Sequence, residues 1–174
     1  MLKKPIVAAI LCVIIVISST VITTHLRLDP WCEEISEAFI ADGGIADQLE
    51  TVCTASSGII RIAEAYGFDC FETKELCESL RVTTHLNSPQ NLFGMYQMLC
   101  ARVSDLSGSL KMKELSAQDA ASLDSYNDEL SAARSVISAD SYNEHVSFFL
   151  RKELGSFSRG FARLCGVNLP EQFA

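Results

Sequence analysis

The chain opens on an uninterrupted apolar run and then settles into helical spacing. Pro5 to Ile22, PIVAAILCVIIVISSTVI, holds eighteen residues without a charge, with Lys3 and Lys4 before it and Thr-Thr-His-Leu-Arg after it. At 1.5 Å per residue a helix of that length covers about 27 Å, close to the roughly 30 Å hydrocarbon core of a bilayer. The flanking threonines and the lysine stems can fill the interfacial remainder. The run predicts a single N-terminal transmembrane helix, contacting the lipid bilayer through residues 5–22. A cleaved signal peptide is the alternative, but its apolar region is usually shorter, about 7–15 residues, and Ser-Ser-Thr-Val-Ile-Thr-Thr offers only an imperfect small-x-small site. Cys12 follows Leu11 rather than a small residue, against a lipoprotein signal, and reads as a lipid-facing or packing side chain.

Downstream, Asp29-Pro30 predicts a helix start, with Asp as cap, Pro in the first turn and Glu33 and Glu34 at the positive end of the dipole. A pause is expected at Asp42-Gly43-Gly44. Ile45, Leu49, Val52, Cys53, Ile59, Ile60, Ala63 and Tyr66 then mark one buried face, closed or bent at Gly67. Leu76, Leu80 and Val82 continue the pattern up to Asn87. Ser88-Pro89 combines a cap with a first-turn proline and is the sharpest boundary. Leu92, Tyr96, Leu99, Val103, Leu106 and Leu110 follow at near-heptad spacing, up to a polar break around Ser116. A last long helix is expected to take Leu123, Tyr126, Leu130, Ala133 and Ile137, and further on Val146, Phe149 and Leu150. A short apolar helix ends at Gly166, with Phe157, Phe161 and Leu164 expected to pack on the end of the bundle.

No window alternates with period two between hairpin turns. The expected fold is therefore all-α: an antiparallel bundle of about four long helices in residues 29–174, preceded by a transmembrane anchor with its flanks in residues 1–28. The 174 residues leave room for one domain plus an anchor.

Charge sharpens this picture. The net charge is −8, but residues 1–28 contribute three positive groups, Lys3, Lys4 and Arg27, and no negative ones, so the remainder carries −11. That acidity, without a basic stripe interleaved with aromatics, excludes nucleic acid as a partner and argues against the domain lying flat on an anionic bilayer. Lys3 and Lys4 on one side of the span, against Arg27 alone on the other, place the domain outside the cytoplasm.

Tyr142-Asn143-Glu144-His145-Val146 with Phe149, then Ser158, Ala162, Leu164-Cys165-Gly166-Val167 and Phe173, resembles the C-terminal signature of LemA-family proteins. In that family a Tyr-Asn-x-x-Val run leads to a small apolar cluster, then Pro and an aromatic residue; the match runs without a gap from Tyr142 to Phe173. Upstream, Ile59-Ile60 through Tyr66 and the acidic helix closing at Arg81 are similar to the family's first long segment. The family's Arg-Arg-x-Asp-Leu-Ile-Pro-Asn-Leu run is missing before Tyr66, and its Glu-Asn-x-Ile is replaced around Arg134 to Ile137. The resemblance implies a divergent member with an N-terminal membrane segment, a long-helix bundle and a partner among membrane or envelope proteins of bacteria. It implies no enzymatic activity and gives structural roles to Tyr142, Asn143, Val146, Phe149, Leu164, Gly166 and Phe173.

Seven cysteines are present, six of them beyond the anchor: Cys32, Cys53, Cys70, Cys77, Cys100 and Cys165. No C-x-x-C pair occurs, and His25, His85 and His145 are far apart, so the spacing of a metal site is missing. An oxidising compartment would allow disulfides among the six; the plainer expectation is buried small hydrophobes. Cys70 and Cys77, seven apart, share a helical face but are too distant along it to bond each other. Asp-Ser-Tyr-Asn occurs at 124–127 and again at 140–143, an offset that on a straight helix turns the two by about 160° and keeps them from one site. Tyr142 reads as a packing residue whose hydroxyl finds a rim partner, and Asn143 as a bond to a neighbouring helix end. No G-x-S-x-G, H-E-x-x-H or phosphate loop is present, so no catalytic residue or cofactor is assigned. The function expected from all this is a membrane-anchored, non-enzymatic scaffold or interaction module. The alternative is a secreted or surface helical binding domain released by signal cleavage. A hydrolytic reading would need folding to bring a histidine beside a serine or cysteine.

Overall fold

The computed structural model describes residues 3–86 and 88–174. They are helical, with no strand among them: α1 (Lys3–Ile40), α2 (Ile45–Ala65), α3 (Phe71–Thr83), α4 (Pro89–Lys111), α5 (Ala117–Ala139), α6 (Tyr142–Phe148), a π-helical turn (Phe149–Glu153) and α7 (Gly155–Leu164). Of the boundary expected near Asn87, that residue itself lies outside the described ones.

Most breaks follow local chemistry. Gly43, at φ +78°, takes a left-handed conformation that other residues resist. Gly44 starts α2 in extended backbone, where a Cβ would sit 2.8 Å from the Ala38 carbonyl oxygen. Gly67 and Gly166, both left-handed, close α2 and α7 in the same way: Phe68 N–H donates to Ala63 and Val167 N–H to Ala162, each across the last turn. Pro89 occupies the first turn of α4, and the Ser116 hydroxyl accepts from Asp119 N–H at the start of α5.

Two expected boundaries are corrected. No helix starts at Asp29-Pro30, because α1 runs straight through Pro30. Instead of capping, the Asp29 carboxylate meets His25 Nδ1 at 3.0 Å, one turn back on the same helix. The last long helix is not continuous either. Asp140 adopts extended backbone after α5, and its carboxylate accepts from Tyr142 N–H at 2.7 Å, which starts α6 afresh. The Asp-Ser-Tyr-Asn at 124–127 lies inside α5 while its twin forms this break, so the two do not share a straight helix.

Contacts group residues 3–36 with 145–170, and residues 37–144 with 171–174. In the second group α2 packs most extensively on α5, then on α3 and α4, while α3 packs on α4 and α4 on α5. The interior takes Leu49, Val52, Ile59, Leu80, Leu92, Leu99, Val103, Leu110 and Leu123, all anticipated from their spacing. Val82, expected to continue the buried face of α3, is 66% exposed. α2 and α5 approach tightly at Gly58, since a Cβ there would fall 2.5 Å from the Tyr126 ring. Tyr66 also joins these helices: its hydroxyl donates to Asp119 at 2.9 Å and accepts from Ser116 N–H at 2.9 Å.

In the first group, the apolar part of α1 has its side chains from Val7 onward exposed almost throughout. Among the described residues one helix is long and apolar enough to cross a membrane, with an 18-residue window of mean hydropathy 2.5 and none of it buried. Val146, Phe149, Leu154, Ala162 and Val167 are buried in this group. Leu164, expected to pack, is instead 87% exposed, and Phe161 is 37% exposed. The Phe157 side chain lies outside the described ones.

Candidate functional site

Of the residues singled out as a motif, Tyr142, Asn143 and Phe173 meet at segment 171–174. Asp140 fixes the first turn of α6, and that turn presents Tyr142 and Asn143 side by side. The Asn143 carboxamide pairs with both backbone groups of Phe173: its Nδ2 donates to the Phe173 carbonyl at 2.8 Å, and its Oδ1 accepts from Phe173 N–H at 2.7 Å. One side chain thus does what a neighbouring β-strand would do for an extended residue. The Tyr142 hydroxyl donates to the Glu171 carbonyl at 2.8 Å. Burial, and then the nearby Glu171 carboxylate, pushes the Tyr142 phenol up to about 12, so it stays a neutral donor at any physiological pH.

The Phe173 ring, 3% exposed, enters a box of aromatic side chains. Ring centroids lie 5.1 Å away at Phe93, edge-on, 5.8 Å at Tyr96 and 5.9 Å at Phe39, which itself meets Tyr142 edge-on at 5.2 Å. Such edge and tilted pairs put the positive ring edge against the negative face and add about 0.5–1.5 kcal/mol each beyond burial. Asn143 therefore bonds not to a helix end, as its sequence position suggested, but to a non-helical segment thirty residues on. Phe39 and Phe93 had no place in the expected site, and no periodic signal in the sequence ties them to residue 173.

The remaining motif residues divide. Val146 and Phe149 are buried and Gly166 caps α7, but these belong to the group of residues 145–170, and Leu164 is exposed.

All seven cysteines are free thiols: Cys12 is exposed, Cys165 half-buried, and Cys32, Cys53, Cys70, Cys77 and Cys100 buried. Cys53 on α2 and Cys77 on α3 face each other, the one place among the described residues where two cysteine side chains meet. His25 receives two partners, with Nε2 donating to the Cys165 carbonyl at 2.9 Å and Nδ1 to Asp29. The Cys165 carbonyl first, and then Asp29, raise its pKa. His85 and His145 are exposed. Among the described residues no group of three His, Cys, Asp or Glu side chains is placed to hold a metal ion.

Compared with protein-family models, curated proteins and solved structures, the chain matches none.

Proposed function

We propose that this chain is a membrane-tethered, non-enzymatic scaffold or interaction module of the bacterial cell envelope, a divergent LemA-like protein. In this reading residues 5–22 span the bilayer, and α2 to α5 form an antiparallel four-helix bundle held outside the cytoplasm and offered to another envelope protein. The observation that carries it is the bare apolar stretch of α1. Eleven of residues 5–22 are Ile, Val or Leu. Each favours the bilayer centre by about 0.3–0.6 kcal/mol, so together they favour insertion by about 3–7 kcal/mol, and among the described residues the most apolar 18-residue window has none of its side chains buried.

Residues of the same contact group support an interfacial setting. Arg151, Lys152 and Arg163 stand with exposed Phe148, Phe161 and Leu164, the pairing of cations and apolar side chains that settles among lipid headgroups. This local basic stretch departs from the acidity of the rest. The LemA-like part of the reading rests on the joining of Tyr142, Asn143 and Phe173 into one clasp.

The test is fractionation of expressing cells, combined with the intact mass of the protein and impermeant maleimide labelling of a Met112→Cys variant, a position 90% exposed. A full-length mass in alkali-washed membranes, with labelling in intact cells, is the expected result. A soluble product lacking the first residues would overturn the tether in favour of a released binding domain, and labelling only after lysis would overturn the orientation.

A further inference from the structure

Two cysteines meet between α2 and α3. The Cys77 thiol donates to the Cys53 carbonyl at 3.3 Å and the Cys53 thiol to the Cys77 carbonyl at 3.7 Å, so each sulfur reaches across to the other's backbone. Both side chains are buried, at 0% and 1% exposure, and both stand on regular helices rather than on loops. Such closeness of side chain and backbone in both directions is what a disulfide requires, since bridged residues need their Cα atoms within about 7 Å.

The two sulfurs are not equivalent. Cys77 forms part of the floor of a cleft of about 280 Å³, whose walls include Ser57, Arg61, Lys74, Glu64 and Glu78; Cys53 does not line it. The Ser57 hydroxyl lies 3.5 Å from the Cys77 sulfur and is itself held by Arg81 Nη2 at 3.4 Å. Lys74 pairs with Glu64 and Arg81 with Glu78, so the cleft carries no large net charge that would repel a small polar oxidant. The Cys53 thiol, then Ser57 and Arg81, lower the pKa of Cys77, whereas its bond to Cys77 and burial raise that of Cys53. A lowered pKa makes more of the thiolate, the reactive form.

We propose that Cys53 and Cys77 are a dithiol oxidation site, in which Cys77 meets a small hydroperoxide in the cleft and Cys53 closes the disulfide from behind it. In the first step the Cys77 thiolate attacks one oxygen of hydrogen peroxide, an S–O bond forms and the O–O bond breaks, and the departing hydroxide takes up the proton lost from Cys77 to become water. In the second, the Cys53 sulfur attacks the Cys77 sulfenic acid, an S–S bond forms and the S–O bond breaks, and the leaving hydroxide takes the Cys53 proton as a second water. Two thiols are oxidised, one peroxide is reduced to two waters, and α2 becomes covalently tied to α3. Among the described residues no other thiol hydrogen-bonds to a second cysteine: Cys32, Cys70 and Cys100 are buried, Cys12 is exposed and Cys165 half-buried. The site is independent of whether α1 spans a membrane.

The experiment is peroxide treatment of the full chain in detergent micelles after reduction and removal of the reductant, followed by thiol counting and peptide mapping. The expected result is loss of two of the seven thiols, a single linked pair of peptides containing Cys53 and Cys77, and full recovery with a dithiol reductant. In Cys53→Ser a dimedone adduct accumulates at Cys77, whereas in Cys77→Ser no adduct forms at Cys53. Thiol loss confined to Cys12 or Cys165, or a Cys77 adduct in the unaltered protein with no linked peptides, overturns the proposal. Should either serine variant lose its helical circular dichroism, the map of the unaltered protein decides alone.

Discussion

Asn143 contributes through two hydrogen bonds to one backbone unit, and its removal would leave both the N–H and the carbonyl of Phe173 without these partners. Each lost bond costs about 1 kcal/mol, with more where a buried group stays unsatisfied, so Asn143→Ala should lower stability by about 2–3 kcal/mol. Phe173→Ala empties the aromatic box and should cost about 3–5 kcal/mol, the usual range for a buried ring. Urea unfolding of the full chain in micelles checks both, and a cost for Phe173→Ala below that of Asn143→Ala would contradict the packing described. Asp119 gives a pH dependence of known sign. The Ser116 hydroxyl, then the Tyr66 hydroxyl, hold its carboxyl below the usual carboxylate range. A depressed folded pKa contributes stability above the unfolded value, near 4, and that contribution is lost as pH falls through the folded value. Asp119→Asn should therefore flatten the acid limb of the stability profile below about pH 4, leaving the shape of the neutral limb unchanged.

Among the elements, Gly58 sets how closely α2 and α5 pack. Gly58→Val would drive a branched side chain into the Tyr126 ring and should destabilise by about 1–3 kcal/mol, the cost of overpacking, offset only slightly by better helix propensity. Denaturant midpoints of Gly58→Val and of a Gly58→Val/Tyr126→Ala double variant check it; the double variant should recover much of the loss. The elements readable from sequence are those whose ends are decided by adjacent residues. Gly43-Gly44, Gly67, Ser88-Pro89, Ser116 and Gly166 each satisfy or redirect the backbone within one turn. Asp29-Pro30 looked the same but behaved differently, because the Asp29 carboxylate had a competing partner in His25 one turn earlier on a continuing helix. The interruption at Asp140 was hidden for a related reason: the same four residues at 124–127 are comfortable inside α5. The clasp was half legible. Tyr142, Asn143 and Phe173 stood out as a pattern, but Phe39 and Phe93, which complete the box, come from α1 and α4 and share no spacing with it.

Across the whole molecule, charge and apolar surface are unevenly distributed. Residues 29–174 carry −11, yet residues 151–163 hold Arg151, Lys152, Arg159 and Arg163 against one acid, Glu153. That cluster belongs to the contact group that includes the bare apolar run of α1, whereas the acidic groups fill much of residues 37–144. The two contact groups therefore differ in sign as well as in hydropathy. The clasp at segment 171–174 has its own consequence for how such a protein drifts over generations. Asn143 grips only main-chain atoms, which every residue except proline supplies alike, while the choice of phenylalanine is made by three surrounding rings. The side chains of Glu171 and Ala174 are left open to change without loosening the grip. What must persist is one carboxamide and one ring, thirty positions apart, a constraint strict in space and almost invisible along the chain.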